Sequence, residues 1–300
     1  MKKVMVVMST YNGGERIVKQ LDSIFSQEGV DVECFVRDDG SKDKNTHTVL
    51  TKYMQHEDRL KVEFAENVGW QRSFLLALSK APKADYYAFS DQDDVWMNDK
   101  LSKSISELEK HNSEKALLFH CNRISCTPAL KALPIQAPKV PCPLNKKNAL
   151  TQEYAQGCSI VINNVARDLV CRHFPSKDVP HDFWTGLICY YFGEVYYSPE
   201  PLFYHINHGG NASTAGHIKE SRQRRLKSFL RENSYPNVAN DLINGYSDLL
   251  STNDRNFLQI VATNKDNFVK KLRLVLDPDF KRVNWQGTLL LKLSVLLGKY

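Results

Sequence analysis

Long apolar runs are absent from this 300-residue sequence. None of its segments reaches the roughly 18 uncharged apolar residues expected of a transmembrane helix. The apolar run at residues 4–8 is too short for a secretory signal or a membrane span, and it fits a buried first strand. With 42% apolar and 25% charged residues, the composition is that of an ordinary globular protein and excludes disordered and fibrous classes.

Paired cysteines are lacking as well. The seven cysteines are odd in number and scattered along the chain. Cys121 and Cys126 form one C-x₄-C spacing without the second pair that a zinc site requires. We therefore expect reduced, buried thiols, which indicates a cytoplasmic location.

Glycine-rich phosphate loops are also missing. No G-x-G-x-x-G follows the first apolar run, which argues against a dinucleotide-dependent oxidoreductase. The first loop, at residues 9–15, reads S-T-Y-N-G-G-E and ends in an acid. Nucleotidyltransferases that make sugar nucleotides usually have a basic, glycine-rich loop there, so that class stays a less favoured alternative.

Excess basic charge is absent outside the last quarter of the chain. Residues 219–300 hold 15 Lys and Arg against 8 Asp and Glu, whereas the first 218 residues hold 25 against 26. The basic quarter lacks interleaved aromatics, so we predict no nucleic-acid partner. Two interpretations stay open: a solvated basic helix face, or peripheral docking on the anionic inner face of the plasma membrane. The basic clusters include Arg222, Arg224, Arg225, Lys227, Lys270, Lys271, Arg273, Lys281 and Arg282.

Apolar periodicity is present in the first hundred residues. Strand-like runs at 4–9, 32–37, 61–64 and 86–89 alternate with helix-like segments such as 15–27, 70–79 and 101–108. This alternation predicts an α/β fold with a parallel sheet. A ligand crevice is then expected at the carboxyl ends of the strands.

The second half of the sequence is less regular. Residues 129–144 are rich in proline and predict an extended loop. A strand-like run at 158–162 follows, and residues 183–191 predict a buried helix. From residue 218 onward the pattern is helical.

Acidic residues gather where two of the predicted strands end. Asp38 and Asp39 follow the second strand, and Asp91, Asp93 and Asp94 follow the fourth. Turn formation and helix capping are the alternative explanation for Asp39 and Asp94. The second group is denser, and its carboxylates repel one another unless a cation neutralises them. Because Mn²⁺ and Mg²⁺ prefer such oxygen ligands, this group predicts a divalent metal site.

Four segments in a fixed order resemble the family 2 inverting glycosyltransferases of GT-A fold. They are S-T-Y-N-G at 9–13, D-D-G-S-x-D at 38–43, E-N-V-G at 66–69 and S-D-Q-D-D-V-W-x-x-D-K-L at 90–101. The last segment is most similar to the bacterial branch of rhamnosyltransferases. The resemblance covers about residues 3–212.

The resemblance implies an α/β domain with a Rossmann-like mixed sheet flanked by helices. The GT-A domain would occupy residues 1–218, with a nucleotide-binding half at about 1–125 and an acceptor half at about 145–218. Residues 219–300 would form a basic helical C-terminal extension.

The resemblance further implies a nucleotide-sugar donor and a divalent metal, Mn²⁺ or Mg²⁺. Asp39 would accept a hydrogen bond from the N3–H of uracil or thymine, and Asp91 would lie near the ribose. Asp93, assisted by Asp91 and His208, would hold the metal on the diphosphate. The implied donor-binding residues are Thr10, Tyr11, Asn12, Glu15, Asp39, Asn67, Arg72, Asp91 and Gln92.

The segment before His208 departs from the family. Typical members carry Tyr-Arg-Gln before this histidine, whereas this chain has His205, Ile206 and Asn207. A donor-phosphate contact from residue 206 is therefore in doubt. A surface histidine without a function is the alternative for His208.

Asp182 is the predicted catalytic base. Residues 180–184, P-H-D-F-W, match the family's H-D-x-W segment, and residues 156–159 match its acceptor-side turn. Enclosure by Phe183 and Trp184 would raise the pKa of Asp182, whereas the helix N-terminus would lower it. The alternative is an N-cap before Phe183. Trp70 is expected in the core rather than under a sugar.

The sequence thus predicts a hexosyltransferase-type enzyme that adds one sugar, with inversion, to a saccharide or lipid-linked acceptor of a bacterial cell-surface polysaccharide such as a capsule. dTDP-rhamnose is the first-choice donor, with UDP-hexoses and UDP-N-acetylhexosamines as alternatives. A non-catalytic glycan-binding protein is a further alternative, against which intact Asp93 and Asp182 argue.

Overall fold

A computed structural model describes residues 1–134, 142–208 and 235–300. The first hundred residues alternate strand and helix, as the periodicity predicted. In chain order the elements are β1 (Lys3–Thr10), α1 (Arg16–Phe25), β2 (Asp31–Asp38), α2 (Lys44–Met54), β3 (Leu60–Phe64), α3 (Trp70–Lys80), β4 (Tyr86–Ser90), β5 (Val95–Trp96) and α4 (Lys100–Leu108).

The following residues complete the sheet and add helices. The elements are β6 (Ala116–Cys126), α5 (Lys146–Ala149), β7 (Val161–Asn163), α6 (Asn164–Arg172), α7 (His181–Phe192), β8 (Gly193–Ile206), α8 (Tyr235–Tyr246), α9 (Thr252–Ala262), α10 (Phe268–Leu276) and α11 (Trp285–Leu296). The strand expected at 158–162 is partly wrong, because a 3₁₀ turn occupies Gly157–Ser159 and β7 begins at Val161.

The eight strands form one mixed sheet in the order β3-β2-β1-β4-β7-β6-β8-β5. The first four strands are parallel, whereas β7 is antiparallel to both β4 and β6. The chain leaves β1 toward β2 and β3, then returns to place β4 on the other side of β1. Open α/β sheets bind ligands at such a reversal, outside the carboxyl ends of the strands.

Both faces of the sheet are covered. In β1, Met5 and Val7 pack into one apolar cluster, whereas Val4, Val6 and Met8 pack into the other. A strand that is buried on both faces reads as a continuous apolar run. This explains why β1 and β4 were visible in the sequence.

The C-terminal helices pack onto one of these two clusters. Leu242, Leu258 and Phe280 are buried there together with Trp184 of α7. Lys147 forms an ion pair of 2.6 Å with Asp277 across this contact. The predicted boundary at residue 218 and the basic group at 222–227 lie outside the described residues, so the division into domains stays a prediction.

The cysteines are free thiols, as expected. Five are buried, Cys171 is partly buried and Cys142 is exposed, so the expectation of burial is wrong for Cys142. In residues 1–134, 142–208 and 235–300, no helix combines the length and apolarity needed to cross a bilayer.

Candidate active site

A cavity of about 880 Å³ opens at the carboxyl ends of β1, β2 and β4. Because these three strands are parallel neighbours, the loops that follow them meet at one edge of the sheet. Most of the residues singled out in the sequence line this cleft: Thr10, Tyr11, Asn12, Asp39, Asn67, Asp91, Gln92, Asp93, Asp182 and His208.

Two predicted donor residues lie outside the cleft lining. Glu15 lines a separate groove between α1 and α2. The Arg72 guanidinium donates a hydrogen bond of 3.3 Å to the carbonyl of Pro175. The structure therefore does not bring Glu15 or Arg72 together with the other donor residues.

Gln92 joins the first loop, at residues 9–15, to the loop at residues 91–94, which we call the acidic loop. Its Oε1 accepts hydrogen bonds from Thr10 Oγ1 at 2.5 Å and from the backbone N–H of Tyr11 at 3.0 Å. Its Nε2 donates to the Tyr11 carbonyl at 3.3 Å. Gln92 thus fixes the position of the loop that carries Asp91 and Asp93.

Asn12 holds the first loop against the loop after β2. Its Oδ1 accepts from the backbone N–H groups of Lys42 at 2.9 Å and Asp43 at 3.2 Å. Its backbone has a φ of 50°, in the left-handed region that asparagine tolerates better than most residues. This side chain therefore positions the cleft wall.

Asp39 is buried at the floor of the cleft. It forms a buried ion pair with Arg37 and accepts from the backbone N–H groups of Val68 at 3.0 Å and Gly69 at 2.9 Å. Asn67 Nδ2 donates to the Asp39 carbonyl at 2.7 Å. A carboxylate offers about four acceptor positions, so capacity for one further donor remains. Asp39 is not a helix cap, since α2 is capped by Asp43.

The acidic loop separates its three carboxylates. Asp93 Oδ2 lies 2.5 Å from His208 Nε2. Asp94 is fully buried, and its Oδ1 lies 2.9 Å from His205 Nδ1. Asp91, Asp94 and Cys158 place one potential ligand atom each within 4.8 Å of one another. The predicted ligands therefore occur as the pair Asp93–His208, with Asp91 beside Asp94.

The surroundings of Asp91 raise its proton affinity. Burial, together with the negative charges of Asp94 and Asp93, raises the pKa of Asp91 to about 7. Burial lowers the pKa of His205, but the hydrogen bond and charge of Asp94 outweigh it, so the net shift is upward. Concentrated negative charge of this kind favours a bound cation.

The pairing of β5 with β8 brings the histidines to the acidic loop. Val95 lies opposite Tyr204 and Trp96 opposite Phe203. The end of β8 therefore lies beside the acidic loop, where His205 contacts Asp94 and His208 contacts Asp93. Sequence reasoning placed His208 here through the family resemblance. It missed the pairing of His205 with Asp94, for which the sequence carries no local signal.

Two arginines of the cleft were also missed. Arg123 lies on β6 and lines the cavity, and its Nε has no hydrogen-bond partner among the described residues. Arg16, at the start of α1, donates to the Asn12 carbonyl at 3.2 Å and lies 3.3 Å from His208 Nδ1. Both place positive charge in a cleft that also holds the acidic loop.

Asp182 lies on the opposite wall, in the first turn of α7. Its Oδ2 accepts from the Gly157 N–H at 3.0 Å and its Oδ1 from the Phe183 N–H at 2.9 Å. Pro180 occupies the cap position, so the N-cap alternative is wrong. Burial, with a smaller contribution from the negative charge of Glu153, raises the pKa of Asp182 to about 8. This carboxyl is poised to exchange a proton near neutral pH.

His181 closes the cavity behind Asp182. Its ring stacks on Phe74 with a centroid distance of 3.9 Å, and burial lowers its pKa to about 4, which keeps the ring neutral. A Cβ on Gly157 would lie 2.5 Å from His181 Nε2, so this turn needs a glycine. Trp70 lines the cleft and is 44% exposed, so its expected place in the core is wrong.

Known glycosyltransferases are similar to this chain in sequence. Residues 5–140 match the family model described as "Glycosyl transferase family 2". "Uncharacterized glycosyltransferase alr2836" of Nostoc sp. is 26% identical over 244 residues, which cover 78% of this chain and 74% of that protein.

Two relatives with more specific names match over shorter segments. "dTDP-rhamnosyl transferase RfbG" of Shigella flexneri is 32% identical over 110 residues, 35% of this chain and 38% of that protein. "UDP-Glc:alpha-D-GlcNAc-diphosphoundecaprenol beta-1,3-glucosyltransferase WfgD" of Escherichia coli is 30% identical over 109 residues, 36% of this chain and 42% of that protein.

Among solved structures, S. aureus TarS 1–349 in complex with UDP-GlcNAc has a TM-score of 0.58 and 15% identity, covering 99% of this chain and 80% of that chain. A likeness at this identity shows the fold, which is the GT-A fold predicted from the sequence. In sequence, residues 5–140 are therefore similar to family 2 glycosyltransferases, and the relatives reported above carry glycosyltransferase names.

Proposed function

We propose that this protein transfers one sugar, with inversion, from a nucleoside-diphosphate sugar to a saccharide or lipid-linked acceptor during synthesis of a cell-surface polysaccharide. One observation carries the proposal: a single cleft holds the acidic loop at the strand ends and, on its other wall, the buried Asp182 with a raised pKa. The reaction needs both, because the departing diphosphate gains negative charge while the acceptor hydroxyl loses a proton.

Asp182 is the proposed base. Its carboxylate takes the proton of the acceptor hydroxyl as that oxygen attacks the anomeric carbon. The bond from this carbon to the diphosphate breaks, and the nucleoside diphosphate leaves with the bonding electrons. A pKa of about 8 makes the carboxylate a stronger base than an ordinary aspartate while leaving part of it ionised at neutral pH.

The acidic loop fits a divalent cation. Asp93 and His208 face the cleft together, Asp94 Oδ2 is buried without a hydrogen-bond partner among the described residues, and the pKa of Asp91 is raised. Asp93, Asp91 and His208 would hold Mn²⁺ or Mg²⁺, which stabilises the negative charge on a departing diphosphate. The two carboxylates suit both ions, whereas the histidine nitrogen is not a ligand that hard Mg²⁺ prefers.

The two cleft arginines are proposed to contact the donor phosphates. The family arginine expected at position 206 is replaced by Ile206 in this chain. Arg123 reaches the same cleft from β6, with an unpartnered Nε. Guanidinium groups match phosphate oxygens with two parallel hydrogen bonds, so Arg123 is suited to take over that contact.

The donor nucleotide is proposed to bind between Asp39 and the first loop. The unused acceptor capacity of Asp39 suits the N3–H that uracil and thymine share, so it does not distinguish the two bases. dTDP-rhamnose is our first choice, supported by the name of the Shigella relative. The UDP-sugars named for the E. coli relative and the TarS complex support UDP-hexose and UDP-N-acetylhexosamine as the other donors to test.

We place the enzyme on the cytoplasmic side, where nucleotide sugars are made, with peripheral association to an anionic membrane through residues 219–300. The support is the basic excess of that segment, 15 Lys and Arg against 8 Asp and Glu. Association of this kind would bring the cleft near a lipid-linked acceptor.

A panel of nucleotide sugars, scored for Mn²⁺-dependent release of nucleoside diphosphate, tests the proposal. We expect Asp93→Asn to abolish transfer and metal-dependent donor binding, and Asp182→Asn to abolish transfer while donor binding stays within about twofold. Asp58→Asn, at an exposed position, is the matched control. Full activity after chelation of all divalent ions would refute the metal role, and near-normal transfer by Asp182→Asn would refute the base.

A further inference from the structure

The last two helices carry an exposed apolar surface. We name it the C-terminal apolar surface, and it consists of Phe268, Val269, Leu272, Leu276, Trp285, Leu289, Leu293 and Leu296. Phe268 and Leu276 are each 70% exposed, and Trp285 is 73% exposed. Large apolar side chains gathered in this way mark a surface that contacts something else.

The spacing of these residues shows that each helix exposes one stripe. Phe268, Leu272 and Leu276 recur every four residues along α10, and Trp285, Leu289 and Leu293 do the same along α11. Residues four apart lie on the same side of a helix. The exposed residues are therefore continuous along each helix.

Helix α11 is apolar on both of its sides. Leu291 and Val295 are buried against the rest of the protein, whereas the stripe that begins at Trp285 is exposed. A helix that is apolar all round is normally covered on every side. The protein covers only one side of α11 with its described residues, which leaves the other for a partner.

The charge of residues 264–300 indicates which kind of partner covers the C-terminal apolar surface. Residues 264–300 hold eight Lys and Arg against three Asp and Glu, and one of those acids, Asp277, is paired with Lys147. On α10, Arg273 is exposed, whereas Lys270 and Lys271 are half-buried. A second copy of this chain would set like charges against each other. An anionic lipid surface, by contrast, offers negative headgroups above an apolar layer.

Helix length indicates how such a surface would be occupied. Helix α11 has 12 residues and is about 18 Å long, whereas the hydrocarbon core of a bilayer is about 30 Å thick. The helix therefore suits a position along the interface rather than across the membrane. An exposed tryptophan such as Trp285 is the residue type favoured at that depth.

We propose that α10 and α11 dock on a bilayer of anionic phospholipids by inserting the C-terminal apolar surface. Their basic side chains contact the headgroups at the same time. This adds an apolar component, which salt does not screen, to the electrostatic association of residues 219–300. Vesicle binding requires no sugar donor, so its outcome is separate from that of the proposed glycosyl transfer.

Vesicle flotation of the full chain tests the proposal, with phosphatidylcholine alone or mixed with phosphatidylglycerol, at low and high salt. We expect binding to the mixed vesicles, and a loss of about tenfold or more in Phe268→Ser/Trp285→Ser at both salt concentrations. Arg273→Gln/Lys281→Gln should weaken binding mainly at low salt. Leu144→Ser/Leu249→Ser, at positions 55% and 45% exposed, is the matched control and should bind like the wild type.

Tryptophan fluorescence gives a second readout. Vesicles should shift the emission of the wild type to shorter wavelength, and Trp285→Phe should lose this shift. Failure of the wild type to bind phosphatidylglycerol vesicles, or unchanged binding by Phe268→Ser/Trp285→Ser, would overturn the proposal. A wild-type dimer that Phe268→Ser/Trp285→Ser converts to monomer would overturn it too, because the surface would then be an interface between copies.

Discussion

At the scale of single residues, the basicity of Asp182 depends on its neighbours. Burial is the main cause that raises the pKa of this carboxyl to about 8, and the charge of Glu153 is part of the same shift. Glu153 is exposed and lines the same cleft. The structure therefore offers a way to change the pKa of the base without touching the base.

Glu153→Gln should move the pH profile of transfer. The base must be ionised to act, so kcat/KM should rise with pH and level off above about 8. Removing the negative charge of Glu153 lowers the pKa of Asp182 and should shift the rising limb to lower pH. Glu114→Gln, at an exposed position outside the cleft lining, is the control. A rising limb that stays in place in Glu153→Gln would contradict this coupling.

Arg123→Ala should weaken donor binding. Hydrogen bonds to charged groups contribute about 1.5–3 kcal/mol, so the Kd for the nucleotide sugar should rise by roughly 10- to 100-fold. Arg123→Lys keeps the charge but loses the paired hydrogen bonds, and should give an intermediate Kd. Calorimetric titration measures both, with Arg59→Ala, in a surface ion pair with Glu57, as the control. An unchanged Kd in Arg123→Ala would remove Arg123 from the donor site.

Local motifs account for the site residues that the sequence revealed. Asp91 and Asp93 stand in a short acidic segment whose spacing is informative by itself, whereas Asp182 was found through its family resemblance. The contact between Asp94 and His205 joins residues 111 positions apart and requires β5 to pair with β8. No local pattern encodes such a pairing, so this part of the site could not be found from the sequence.

At the scale of elements, strands that are buried on both faces of the sheet were the ones most readily predicted from the sequence. The continuous apolar runs of β1 and β4 predicted buried strands. In β8, Pro199 and Pro201 argue against a strand because proline cannot donate to the ladder. The pairing of β6 with β8 shifts register around Asn122, and this irregularity accommodates the prolines. β8 escaped prediction for this reason.

Gly193→Ala should test the junction of β6 and β8. A Cβ at residue 193 would lie 2.1 Å from the Ala116 carbonyl oxygen, so one strand must move. We expect a loss of about 1–3 kcal/mol in the free energy of unfolding, measured by urea denaturation. Gly186→Ala is the matched control, because a Cβ there meets nothing within 4 Å and α7 should gain about 0.5–1 kcal/mol. Equal stability of the two variants would contradict the close approach of the strands.

At the scale of the whole molecule, the α/β class could be predicted from the sequence. Strands of a sheet covered on both faces are apolar runs, and the helices between them have an apolar side, so the two alternate visibly along the chain. The sequence could not show how the C-terminal helices attach. Tyr246 of α8 stacks on Phe192, and its hydroxyl donates to the Leu169 carbonyl at 2.7 Å. These residues are far apart in the sequence, and their contacts form only after α6 and α7 have folded. The local pattern of apolar residues therefore does not predict them.

Deleting residues 235–300 should therefore destabilise the rest of the protein. The deletion would uncover Trp184 and Leu187, which pack with Leu242 and Tyr246 in one apolar cluster. Uncovering each large apolar side chain costs about 1.5–3 kcal/mol, while a whole domain is stable by only about 5–15 kcal/mol. We expect a large drop in Tm and increased binding of an apolar dye. Phe268→Ser/Trp285→Ser, which changes only exposed side chains, should keep the Tm of the full chain. A deleted protein that melts at the wild-type temperature would show that the C-terminal helices are not part of this core.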